Sequence, residues 1–228
     1  AFYQRQNATD TTAKEVIKVM DISKPSTPGT PVVISGLAAD ETGRNMRDAT
    51  FTWDDSTVVY SALGADGHSF LVAAKANGTT AGTFLKATGK SLRSPSICYD
   101  SVNKRMVLLT LVLDTTQDAK REHLVAIPYA PTEKPDWSKA ITIAKFGDGA
   151  IAKAVWSPEL DVARGCPRMD RLAFNVFDPN SATPTIARLF VLQGVRDILD
   201  GKKPALTTKD DPRLISVEKL AFKDELSW

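Results

Sequence analysis

Residues 50–62, TFTWDDSTVVYSA, decide the fold: a short apolar run ends on an aromatic, Trp53, an Asp-Asp-Ser turn follows, and a second apolar run begins at once. The same order of residue types returns at 96–110 (SICYDSVNKRMVLLT) around Tyr99 and, with a longer insertion, at 154–176 (AVWSPELDVARGCPRMDRLAFNV) around Trp156. Its first half returns at 219–228 (KLAFKDELSW) around Phe222. Short runs rich in β-branched and aromatic residues fit a pleated surface, and Asp, Ser, Asn and Pro between them supply turn conformations and local backbone hydrogen bonds.

Working outward, each unit carries two more strands. Third strands are expected at Glu15 to Met20, Ser69 to Ala74, His123 to Pro128 and Ala187 to Leu192, and fourth strands at Pro31 to Ile34, Gly82 to Leu85, Ala140 to Ile143 and Ala205 to Thr208. Turn-rich clusters such as SKPSTPGTP (23–31) and DPNSATPT (178–185) separate them. Only Val195 to Leu199 (VRDIL) looks helical, as one turn between a third and a fourth strand. The pattern is all-β, with repeat units at about 46–91, 92–148 and 149–215 and a split unit that joins 216–228 to 1–45. The aromatics stand 46, 57 and 66 residues apart. The mean of about 56 slightly exceeds the roughly 40–50 residues of a propeller blade, and loop insertions account for the excess.

The aromatic followed by a Ser-Pro-Asp-Gly-like turn and a strand, as in VWSPE at 155–159 and FTWDD at 51–55, resembles the β-propeller repeat of the TolB family, relatives of the WD repeats. The likeness covers most of the chain. It implies a β-propeller of four-stranded antiparallel blades, about four in this chain, and specifies no function: members include binding modules of periplasmic complexes, gating propellers of peptidases, and pectin-fragment lyases. Where the family prefers Asp-Gly in the turn, this sequence has Asp55-Ser56, Ser101-Val102, Glu159-Leu160 and Asp224-Glu225.

A lone four-stranded sheet cannot bury both faces, so blade-on-blade packing would supply the core. Trp53, Tyr99, Trp156 and Phe222 are expected between blades, each burial worth on the order of 2–3 kcal/mol. Either a last blade made of strands from both termini closes a four-bladed ring, or the chain is part of a larger propeller.

Composition removes several function classes. With 228 residues, 43% of them hydrophobic, the chain can bury a sizeable core. Its 29 basic and 27 acidic side chains leave +2, too little for a dedicated nucleic-acid or polybasic membrane binder. The longest apolar stretch, Met106 to Leu113, is far shorter than a membrane span. The start at Ala1, directly in strand-like sequence, reads as a mature or excised piece. Cys98 and Cys166 would form one disulfide in an oxidising compartment, or be two small buried apolar side chains in a reducing one. Asn7-Ala8-Thr9 and Asn77-Gly78-Thr79 fit the N-glycosylation pattern, a short one that arises often by chance.

Catalytic constellations are not apparent. His68 reads as a turn residue and His123 as the start of a strand, and there is no nucleophile elbow, phosphate loop, haem motif or zinc spacing. No metal and no cofactor are expected. The carboxylates Asp54-Asp55, Asp170 and Asp210-Asp211 read as turn and loop residues. What recurs is charge leading into the first strand of each unit: Arg47 with Asp48, Arg93, and Lys153. These are solvated loop charges, or they converge on an anionic ligand or a partner's acidic segment at the mouth of the channel. The leading expectation is a non-catalytic module that binds protein partners in a periplasmic or extracellular assembly. The alternatives are a propeller region of a peptidase or lyase with its catalytic residues elsewhere, or a propeller that binds glycans or small ligands.

Overall fold

The computed structural model describes residues 2–5, 15–20, 27, 29–34, 41–42, 46–52, 54, 56–79, 81–114, 116, 121–147, 149–156, 160–161, 166–167, 171–178 and 186–221. Strands β1 (Phe2–Arg5), β2 (Glu15–Val19) and β3 (Val32–Ile34) form a three-stranded sheet in that order. Strands β4 (Arg47–Phe51), β5 (Thr57–Leu63), β6 (Ser69–Lys75) and β7 (Ala81–Leu85) form a four-stranded sheet, again in chain order. So do β8 (Lys90–Asp100), β9 (Arg105–Asp114), β10 (Glu122–Tyr129) and β11 (Ile141–Ala144). The last large sheet starts at β12 (Ala150–Trp156). After a two-stranded ribbon of β13 (Leu160–Asp161) and β14 (Cys166–Pro167), it continues through β15 (Arg171–Phe177), β16 (Ile186–Gln193) and β17 (Leu214–Ala221). The pairings registered in these sheets are antiparallel. The chain divides into two compact units, Ala1–Pro95 and Ser96–Trp228, with the boundary inside β8.

The fold is therefore all-β and built from successive meanders. One strand differs from the sequence expectation. Ala205 to Thr208 is not a fourth strand: Leu206 makes a single parallel bridge to Ala144, its N–H donating to the Ile143 carbonyl at 2.9 Å. The fourth strand is β17, registered on β16 from Leu192↔Leu214 to Ile186↔Ala221. Residues 216–221 thus complete this sheet and do not open a split unit with the N-terminal strands. The physical reason is length: ALTT, held behind Pro204, offers one large apolar side chain, whereas LISVEKLA pairs with seven of the eight residues of β16. The helical turn α1 (Val195–Leu199) does lie between the third and fourth strands, as expected.

Each unit has its own core. In the first, Ile17 and Ile34 from the three-stranded sheet join Val58, Tyr60, Phe70 and Val72. The Tyr60 hydroxyl donates to Glu41 at 3.4 Å, and burial together with the Glu41 charge drives its pKa upward. Gly78, φ +80°, carries the turn between β6 and β7 close to β3; a Cβ there would lie 2.7 Å from the Val33 carbonyl oxygen. In the second unit the core is aromatic. The rings of Phe146 and Phe190 both stack on Phe174, each at a centroid distance of 6.1 Å, and Trp156, 3% exposed, packs in the same cluster.

A buried carboxylate ties α1 to the first hairpin of the second unit. Asp100, 0% exposed, follows Tyr99 as Asp54 follows Trp53, and it caps the β8–β9 turn. It accepts from Asn103 Nδ2 at 2.7 Å and from Arg105 Nε at 3.0 Å, with Arg196 Nη2 of α1 at 3.5 Å. Arg105 reaches on to Asp200 at 3.0 Å. Burial pushes the Asp100 pKa up, but hydrogen bonds from Asn103 and the charges of Arg196 and Arg105 outweigh it and hold it below its usual value.

These cores set two expectations for stability. Replacing Trp156 with Ala should cost about 3–5 kcal/mol through the cavity it leaves, measured by urea denaturation; a loss below about 1 kcal/mol would contradict that packing. Because the folded pKa of Asp100 is depressed, its contribution is complete above the unfolded value near 3.8 and is lost as pH falls through the folded value. Asp100→Asn should therefore lower stability at neutral pH and flatten its acid dependence, read from melting curves between neutrality and strong acid.

Candidate functional site

The first strands of the three large sheets each depart from regular strand geometry, though not in one way. In β4 the register on β5 shifts between Arg47 and Thr50, and Asp48 takes φ +54°. In β8 Ser94 takes φ +49° although it is 5% exposed. In β12 the register on β15 shifts between Ile151 and Lys153. An extra residue in one strand breaks the ladder, bends the strand and re-aims its side chains, and such bulges concentrate beside functional sites. Left-handed backbone in a non-glycine residue is uncommon, and Asp tolerates it better than most.

The basic residues singled out in the sequence sit on these irregularities. Arg47 is exposed and immediately precedes Asp48; Arg93, half-buried, immediately precedes Ser94; Lys153, half-buried, closes the shift in β12. Arg47 and Arg93 belong to the first unit and Lys153 to the second.

Opposite the bulges lies a polar position that the sequence reading passed over. Each second strand carries one small buried polar side chain within its apolar run: Ser61 in VVYSAL, Thr110 in VLLTLV and Asn175 in LAFNVF, at 2%, 0% and 5% exposure. Ser61 is the cross-strand partner of Arg47, and Asn175 of Lys153. The Ser61 hydroxyl donates to the Arg47 carbonyl at 3.3 Å, closing the gap that the bulge opens in the ladder. Asn175 is placed likewise, but its Oδ1 is buried without a hydrogen-bond partner. A buried, unmatched acceptor costs stability and so calls for a reason. The signal that could have revealed this set is the repeated single polar residue within a run of apolar ones.

The other candidate residues are structural or lie elsewhere. Asp54 accepts from the Thr52 hydroxyl at 2.7 Å and from Ser56 Oγ at 2.8 Å; these bonds, that from Thr52 foremost, lower its pKa against a small opposing effect of burial. Asp211 makes a two-point contact with Arg213, at 2.8 and 2.7 Å, and the Arg213 hydrogen bond is the main cause that lowers its pKa to about 2. The backbone N–H of His68 donates to Asp66, and His123 lies on β10 opposite Val112. Cys98 is buried in the second unit's core, and the side chain of Cys166 lies outside the described side chains. Trp53, Asp55, Asp170 and Phe222 lie outside the described residues, while Tyr99 is half-buried.

Among the described residues no group of three or more His, Cys, Asp or Glu side chains is placed to hold a metal ion, and no helix is long and apolar enough to cross a membrane. No protein-family model matches the chain, and no curated protein matches it in sequence.

The two polar partners predict opposite mutational outcomes. Ser61→Ala should cost about 1 kcal/mol, because it removes a hydrogen bond that satisfies a backbone carbonyl. Asn175→Leu, which keeps the branch at Cγ in a larger side chain, should be neutral or stabilising, because the Oδ1 acceptor it removes has no partner to lose. Chemical denaturation of both variants checks this; a large loss in Asn175→Leu would give the amide a structural role.

Proposed function

We propose that this chain is a non-catalytic β-propeller module that binds an anionic ligand or an acidic segment of a protein partner in an extracytoplasmic assembly. Three features support the propeller. Meanders of four strands succeed one another, their second strands bury at least five consecutive residues, and each first strand carries a backbone irregularity, a register shift in β4 and β12 and a left-handed residue in β4 and β8. Consecutive burial requires cover on both faces of a sheet, which radial packing of blades provides.

One observation carries the binding reading: a basic side chain stands at each first-strand irregularity, and buried polar residues face two of them across the ladder. Irregular backbone and buried polar side chains both lower stability, and a sheet that keeps them beside a basic side chain offers a binding edge. A cation there recognises negative charge, and the partly buried stems of Arg93 and Lys153 restrict the directions in which that charge can approach.

The test uses a short fluorescent poly-glutamate peptide as probe, titrated by anisotropy over a range of salt. The intact protein should bind it with an affinity that falls as salt rises. Arg47→Ala combined with Arg93→Ala should weaken binding roughly tenfold, about 1.4 kcal/mol, with the melting temperature nearly unchanged. Binding that survives the double substitution, or no binding by the intact protein, returns these residues to ordinary solvated charge.

A further inference from the structure

The chain's one Asn-Gly pair, Asn77-Gly78, lies in the turn between β6 and β7. Asn77 is exposed. Its carboxamide oxygen accepts two hydrogen bonds from one residue, the Thr79 hydroxyl at 2.7 Å and the Thr79 backbone N–H at 3.2 Å. Gly78 takes φ +80°, and with no Cβ it adds no side chain beside the backbone nitrogen that follows Asn77. Its N–H donates to the Lys75 carbonyl at 2.8 Å, which closes the turn.

We infer that Asn77 is a self-modification site, at which the turn itself promotes deamidation through a succinimide. The chemistry needs only water and base. Base removes the Gly78 amide proton, which is released from the Lys75 carbonyl, and the nitrogen forms a bond to Asn77 Cγ. The carbonyl π pair moves onto Oδ1, which becomes an oxyanion held by the two Thr79 donors already in place. The pair then returns, the Cγ–Nδ2 bond breaks, and Nδ2 takes up a proton from water and leaves as ammonia. Water next opens one of the two C–N bonds of the ring, giving aspartate or isoaspartate at position 77. No oxidation or reduction occurs. Thr79 acts as a small oxyanion hole, two donors fixed in advance where negative charge develops.

The site also has a structural consequence. Isoaspartate adds a methylene to the main chain and deamidation adds a negative charge. Both changes fall beside Gly78, whose Cβ position lies 2.7 Å from the Val33 carbonyl oxygen and 3.1 Å from Val32 Cγ1. The turn cannot lengthen toward β3 without displacing it.

The test follows the intact chain at mildly alkaline pH by mass spectrometry, a gain of about one dalton per event, with peptide mapping to separate aspartate from isoaspartate at position 77. Four proteins are compared, folded and in concentrated urea: the unaltered chain and the Thr79→Ser, Thr79→Val and Asn77→Gln variants. Folded, the unaltered chain and Thr79→Ser should convert at the same rate. Thr79→Val should be slower by roughly three- to tenfold, less than the about 10²-fold loss at a buried oxyanion hole because this turn is wet. Asn77→Gln should show no gain at this position. In urea, where the turn geometry is gone, Thr79→Val should match the unaltered chain. An Asn77 that stays intact in the folded protein, a Thr79→Val that keeps pace with the unaltered chain, or a difference that persists in urea would each overturn the inference.

Discussion

The second strand of each large sheet buries at least five residues in succession, and a strand can do this only if both of its faces are covered. Most of the architecture follows from that constraint. An antiparallel sheet with one wet face would alternate apolar and polar residues, whereas VVYSAL, MVLLTLV and LAFNV do not alternate. Such segments cannot remain as isolated meanders, and within each unit other elements cover them. Within the second unit the covering surfaces are explicit: Val107, Leu109 and Leu124 on one sheet meet Ile151, Leu172 and Phe174 on the next in one continuous cluster.

Covering both faces leaves few places for polar groups, and those that exist are committed. Asp100 is held by Asn103, Arg105 and Arg196, and Asp211 by Arg213, so these carboxylates stabilise turns and do not offer an acid–base pair. Ser61 repairs the ladder at the β4 bulge. Asn175 keeps an acceptor that nothing in its surroundings matches, and Lys153 stands across the ladder from it. The bulges place basic side chains where regular strands would place apolar ones, which is why the binding reading rests on them and not on the turn carboxylates.

The turns show how far local chemistry alone reaches. Asp54, Asp66, Asp114 and Asp136 each accept a hydrogen bond from the backbone or hydroxyl of a residue two positions on, a bond that depends on nothing distant. Asn77 makes the same bond to Thr79, and there an ordinary turn geometry gains chemical consequence because the next residue is glycine.

Strand order, most strand positions and the helical turn Val195–Leu199 were legible in the sequence, because period, β propensity and turn residues act over a few positions and leave a local record. The third strands and three of the four fourth strands fall where apolar runs predict them, whereas Arg47, Arg93 and Lys153, expected in the segments leading into the first strands, lie within β4, β8 and β12. Two things were not legible. Whether Ala205 to Thr208 or Leu214 to Ala221 pairs with β16 depends on which segment can complete a seven-pair register, a comparison between distant segments that no local pattern encodes. The bulges, and the burial of Ser61, Thr110 and Asn175 beside or near them, arise only when neighbouring strands fail to match residue for residue. The sequence by itself determined which residues could be strands, turns and charges, since those are local free energies; the tertiary structure alone decided which polar groups are buried, because burial belongs to the packed pair of sheets and not to either strand.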